Sequence, residues 1–200
     1  MPALKCPFAG SVKVAFTEDG SYTGDVGSAF LLSSVGGGDA LRLMCSRFYQ
    51  NAFADATLAP FMFEEDGAVA HGKRLGDWIV QKLGGEGSPW STSGRNGMRS
   101  TAHAHAWNSQ NRPAQDRGRR FKLPDCRVWM RLHFLACRET GLADHAEFMR
   151  FYVEFIQHFV GVYERSAPAY AQESAAWSAD PANVQRYREN GCKMIDVLGW

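Results

Sequence analysis

Apolar side chains recur at steps of three and four through most of this chain, the period of helices that bury one face. Leu41, Met44, Cys45, Phe48, Ala52 and Phe53 form the first such stripe, and Asp39, directly after three glycines, reads as its N-cap. Residues 58–63 make a short apolar corner bent by Pro60. Glu64, Glu65 and Asp66 then place negative charge before a helix carrying Val69, His71, Leu75, Trp78, Ile79 and Leu83, which Gly84-Gly85 ends. Residues 84–122 lose the pattern. They read as a long loop with one short helix around Met98–Trp107, and a loop of that length in a compact domain is functional or disordered. Pro124-Asp125 opens a helix that is apolar almost all round from Cys126 to Cys137, which predicts a central position. Gly141 stops it, and Asp144 with Glu147 reads as a capping box. The clearest stripe follows: Phe148, Phe151, Tyr152, Phe155, Ile156, Phe159, Val160 and Tyr163.

The flanks are weaker. Residues 1–37 read as an N-terminal extension, loosely packed, with Val12, Val14 and Phe16 alternating like a short strand. Residues 169–200 read as a C-terminal tail with one short helix, bracketed by Asp180-Pro181 and Gly191. The pattern as a whole predicts an all-α chain whose main domain is 38–168.

Composition narrows the function classes. With 45% hydrophobic and 22% charged residues the chain is globular rather than disordered. A net charge of +1 lacks the basic excess of a nucleic-acid binder. No run approaches the ~18 apolar residues of a membrane span, and no signal-like apolar segment opens the chain. Five widely spaced cysteines without a CxxC argue against a disulfide framework or zinc site and for a cytoplasmic setting. Aromatic residues at 12% can fill a core or line a pocket for a flat ligand.

None of the common catalytic motifs is present. Among the six histidines, His133, His145 and His158 read as surface or partly buried polar residues. His71 shares a helix face with Leu75 and Ile79 and is expected to point inward. His103 and His105 lie among small alanines, where something large can approach, and His103 shares a helical face with Trp107. The Arg117–Arg120 cluster is either a solvated loop or a partner for acidic groups.

The order of these pieces resembles the truncated haemoglobins, specifically the second group of that family. A helix carries Phe48-Tyr49, a Pro-Phe corner follows, and a helix with an inward histidine ends in Gly84-Gly85. A His-bearing irregular stretch leads to a helix with Trp129, and a long aromatic helix closes the unit. The resemblance runs through residues 36–66, 73–85, 127–134 and the last long helix, roughly 36–168 in all. It implies a globin-like fold, a truncated two-over-two helical sandwich with a long loop before the fifth helix, enclosing haem b.

Carried over to this chain, the resemblance implies His103, with His105 as the alternative, as the protein ligand of the iron. Phe48, Phe63 (or Phe61), Leu75 and Trp129 would pack on the porphyrin, and Lys73 and the Arg117–Arg120 cluster would meet its propionates. Tyr49, His71 and Trp129 would form the distal ligand pocket. Each would then donate to bound dioxygen, and whether His71 itself binds iron stays open. Such crowding suits dioxygen or nitric oxide redox chemistry, as in a nitric oxide dioxygenase or a peroxidase-like enzyme with a separate reductase, better than transport. The alternative reading is a haem-free globin-fold module for sensing or interaction. The chain departs from the family where the Pro-Phe pair after the ligating histidine gives way to Ala104-His105-Ala106-Trp107, in the longer 108–120 segment, and in both extensions.

Overall fold

The computed structural model describes residues 12–16, 22–63 and 66–199, and among these it is helical without a strand. Helix α2 (Gly37–Ala54) is capped by Gly36 in the left-handed region, φ 98°, rather than by Asp39. Asp39 sits in the first turn and pairs with Arg42. The predicted stripe is the buried one: Leu41, Met44, Cys45, Phe48 and Ala52 are inaccessible, and Phe53 is half-buried.

Helix α3 (Gly67–Lys82) packs along α2. The two backbones nearly touch, because a Cβ added to Gly72 would stand 2.3 Å from Ser46 Cα and one on Gly76 3.0 Å from Arg42 Cα. His71, Ile79 and Val80 face inward as the period requires, but Val69 is 69% exposed. Between them Arg42 and Lys73 hold Asp77, whose buried carboxylate is kept below the ordinary range by those two cations. Glu64 and Glu65 lie outside the described residues.

The polar stretch after Gly84-Gly85 contains two helices, the one-turn α4 (Pro89–Thr92) and α5 (Met98–Trp107). No residue of α5 is fully buried. Helix α6 (Leu123–Glu139) starts where Asp125 accepts the Lys122 backbone N–H, and its buried positions run nearly round the helix. It crosses α2 and supports the helix over Ala171–Ala179, so it is the central element that its composition predicted. Helix α7 (Ala146–Gly161) buries seven residues of its apolar face. Its N-cap is His145, with no capping box from Asp144 and Glu147.

Both flanks differ from expectation. Residues 22–35 are packed: Asp25 and Ser28 form a capping box at the start of α1 (Val26–Ser34), and Leu31 and Leu32 are buried. Tyr22 is 1% exposed with its ring against Phe151 and Phe155 of α7. The segment 12–16 is not a strand. The tail carries two helices rather than one, α8 (Ala171–Ala179) and α9 (Pro181–Glu189). It is anchored to α6 by Arg127 and Arg131, whose guanidinium groups are buried and donate to the carbonyls of Val197, Leu198 and Gly199. Asp55, fully buried at the end of α2, accepts the Met194 N–H and ties the same tail to the other side of the core.

No helix among the described residues is long and apolar enough to cross a membrane.

Candidate functional site

A cavity of about 350 Å³ opens among α2, α3, α5, α6 and α7, within the usual size of a small-molecule or cofactor pocket. Its walls are largely aromatic. Phe48 and Trp129 meet edge to face at 5.4 Å, and Phe61 meets Phe121 at 5.0 Å. Phe63 lies on the same lining, edge-on to His105 at 5.4 Å.

Two histidines, one from α3 and one from α5, reach this cavity in the same way. His103 lies 2.8 Å through Nδ1 from the carbonyl of Arg99, one turn back on α5. His71 lies 2.9 Å through Nδ1 from the carbonyl of Gly67, one turn back on α3. A carbonyl only accepts, so in both rings Nδ1 carries the proton. In the neutral imidazole Nε2 is then a bare lone pair, and in neither ring does Nε2 have a hydrogen-bond partner among the described residues. The sequence supplies this geometry directly, because a helix of four-residue steps offers each inward histidine its own carbonyl.

The environments differ. His103 is half-buried, with Tyr163 at 4.5 Å ring to ring and its hydroxyl 3.3 Å from Nδ1. Burial pushes the His103 imidazole down to about 4, so it is neutral at physiological pH and its lone pair is not blocked by a proton. His71 is 7% exposed and packed by the rings of Tyr49 and Phe53 at 5.0 and 5.1 Å. Its Nδ1 also lies 3.1 Å from Asp66 Oδ1. His105 is exposed, and no backbone carbonyl fixes its ring.

The expected site residues thus converge with two exceptions. Phe48, Tyr49, Phe61, Phe63, His71, Leu75, His103, His105 and Trp129 all line the cavity. Lys73 does not. It is largely exposed and paired with Asp77 on the outer face of α3. The Arg117–Arg120 cluster is also elsewhere, Arg117 tied to the carbonyls of Arg112 and Gln110 and Arg120 lying over Trp107. The cations at the cavity are Arg74, Arg95 and Arg99, with Arg99 stacked 5.0 Å over Trp78. Sequence reasoning passed over them, although Arg95, Arg99 and His103 follow one another at steps of four. Asp125 shares the lining, with burial raising its carboxyl above the ordinary range.

One histidine departs from its sequence reading. His133 is not a surface residue but fully buried on α6, stacked on Trp129 at 4.5 Å and bonded through Nε2 to the Tyr152 hydroxyl at 2.8 Å. Burial drives it down to about 3. No group of three or more His, Cys, Asp or Glu side chains converges among the described residues. Comparison with family models, with curated proteins and with solved structures found no match to this chain.

Proposed function

We propose that the cavity holds haem b, with His103 Nε2 as the protein ligand of the iron, and that the chain binds a small oxygen- or nitrogen-containing ligand on the side reached by Tyr49, His71 and Trp129. The observation that carries this reading is the His103 geometry: a neutral imidazole, its Nδ1–H held by the Arg99 carbonyl, with a bare Nε2 on an aromatic cavity. Metal-ligating histidines have their second nitrogen anchored in this manner, which fixes tautomer and ring direction. His105 lacks the anchor and stands as the weaker choice.

The residues fit the group. A metalloporphyrin is flat and apolar and carries two carboxylates at one edge. The aromatic lining matches its faces, and Arg95 and Arg99 supply cations of the sort that pair with carboxylates. The porphyrin brings four nitrogens of its own, so the protein needs to add only one imidazole. When bound, haem supplies reversible ligand binding and one-electron chemistry at the iron.

The chain's residues do the rest. Phe48, Phe61, Leu75 and Trp129 exclude water from the site. The Trp129 indole N–H has no acceptor among the described residues, so it remains to donate to a ligand in the cavity. Tyr49 brings a phenol to the same space. The succession of α2–α3 and α6–α7 around one cavity supports the two-over-two globin arrangement as the fold belonging to this function, with redox turnover fed by a reductase in the cytoplasm.

The test is an absorption spectrum of the chain expressed with haem supply. A Soret band is expected, lost in His103→Ala and retained in His105→Ala. A colourless protein refutes the reading, and the reverse pattern between the two variants refutes the choice of histidine.

A further inference from the structure

His71 faces the cavity as a base. The Gly67 carbonyl and the Asp66 carboxylate both accept hydrogen bonds, and both lie on Nδ1, at 2.9 and 3.1 Å. Whenever the ring is neutral its one proton is therefore on Nδ1, and Nε2 offers a lone pair. That reverses the expectation that His71 donates to a ligand that has gathered negative charge. Such a ligand would be repelled by the lone pair, and the donor on the lining would be the Trp129 indole.

A lone pair in a dry cavity suits a substrate that must give up a proton. We propose that the cavity takes a hydroperoxide, ROOH, and that His71 is its general acid–base, an inference that rests on the haem reading above. Nε2 accepts the O–H proton of the hydroperoxide. As the O–O bond breaks heterolytically, the same proton passes to the departing oxygen, which leaves as ROH. The two electrons drawn by that cleavage are returned by two molecules of a phenol-class reductant, each losing one hydrogen atom. The balance is ROOH + 2 ArOH → ROH + H2O + 2 ArO•, with the hydroperoxide reduced and the phenol oxidised. His71 returns to its neutral state in every cycle.

The surroundings serve this transfer. When Nε2 takes the proton the ring becomes a cation, and Asp66 stands against its other nitrogen to stabilise it. Asp66 stays ionised because the Arg74 guanidinium grips both its oxygens, at 2.5 and 3.0 Å, and holds the carboxyl below its ordinary range. Tyr49 and Phe53 pack on the imidazole and fix its plane. Trp129 lines the same cavity, and its indole N–H is the donor offered to the oxygen that gathers charge as the bond breaks. His71 is thus the catalytic residue, and Asp66 is a positioning residue that acts through it.

The test uses the haem-loaded chain mixed rapidly with hydrogen peroxide, followed through the change in its Soret band. His71→Gln keeps the size and a hydrogen-bonding amide but removes the base, so the peroxide rate is expected to fall about 10²–10⁴-fold. Asp66→Asn should slow it roughly 10–100-fold, the usual effect of losing a group that orients a catalytic or ligating imidazole. Carbon monoxide has no proton to give, so in both variants the peroxide rate should fall at least about tenfold further than the carbon monoxide association rate. As a readout apart from turnover, nitrogen-15 shifts of the His71 ring in the diamagnetic carbon monoxide form should show Nδ1 protonated and Nε2 bare. An Nε2–H tautomer, an unchanged peroxide rate in His71→Gln, or an equal fall for peroxide and carbon monoxide would each overturn the proposal while leaving the haem reading intact. Absence of a Soret band in the parent would instead overturn the haem reading itself.

Discussion

Lowering the pH from 7 to 5 should destabilise the haem-free chain through its buried imidazoles, and His133 permits a direct test. It is inaccessible, stacked between Trp129 and Tyr152, and held neutral down to about 3. An unfolded histidine titrates near ~6.5, so between that value and about 3 the unfolded chain binds a proton that the folded chain refuses. Stability contributed by the neutral imidazole is therefore present above ~6.5 and is lost as the pH falls. At pH 5 the unfolded state gains about 2 kcal/mol from protonating this one residue, from RT ln(1 + 10^1.5). His103, held down to about 4, adds roughly another 2 kcal/mol in the same window. Paired carboxylates such as Asp66 and Asp77, depressed by their cations, contribute at lower pH, where their unfolded forms protonate. Urea melts at constant ionic strength should thus show a fall of about 4 kcal/mol from pH 7 to pH 5, and His133→Gln, which keeps a partner for the Tyr152 hydroxyl, should remove about half of it. If the variant loses as much stability as the parent over this range, the imidazole is not held neutral in the core and the packing argument for α6 fails.

Three further outcomes follow from contacts described above. Trp129→Phe removes the indole donor at the cavity, and ligand release from the haem-loaded chain, read by flash or displacement kinetics, should quicken about tenfold for a bond worth roughly 1.4 kcal/mol. Gly72→Ala drives a methyl into the Ser46 backbone, so urea melts should show a loss of about 3 kcal/mol, and an unchanged midpoint would mean that α2 and α3 are not in backbone contact. Arg131→Met leaves the Val197 carbonyl without its donor and the Leu198 carbonyl with Arg127 alone, and a loss of about 3 kcal/mol with faster proteolysis inside residues 193–199 is expected.

The four long stretches with a 3.6 period were legible because burial on one face leaves a mark that neighbours do not alter: α2, α3, α6 and α7 bury the stripes read from the chain, and the short α5 starts and ends at the residues read as helical. Element ends were less so. Asp39 looks like a cap, but Gly36 alone can take φ 98°, and the chain turns there instead. Helix α1 was missed because Val26–Ser34 is apolar and small-polar by turns, with no face to read, and its burial depends on Tyr22 meeting α7. In the tail, α8 contributes alanines and serines whose burial is created by α6 rather than by their own hydrophobicity.

At the site, side chains were legible where a helix face set their direction, as for His71, His103 and Trp129. They were not where long flexible cations choose among partners. Lys73 finds Asp77 one turn away on its own helix, whereas Arg95 and Arg99, in a stretch that reads as mostly polar, both reach the cavity, Arg99 by lying over the Trp78 and Phe159 rings. The depth of His133 follows from its place on a helix apolar almost all round, whereas its partner Tyr152, nineteen residues later, is announced by no local pattern.

The helix that carries His103 has no fully buried residue of its own. Beyond the contacts of Ala106 and Trp107 with the core, whatever fills the adjoining cavity adds apolar contacts to residues 98–107, so loading should stabilise that helix. Amide exchange in that stretch should accordingly report the degree of loading, slowing there first and most, while the α2–α3 plate remains equally protected whether full or empty.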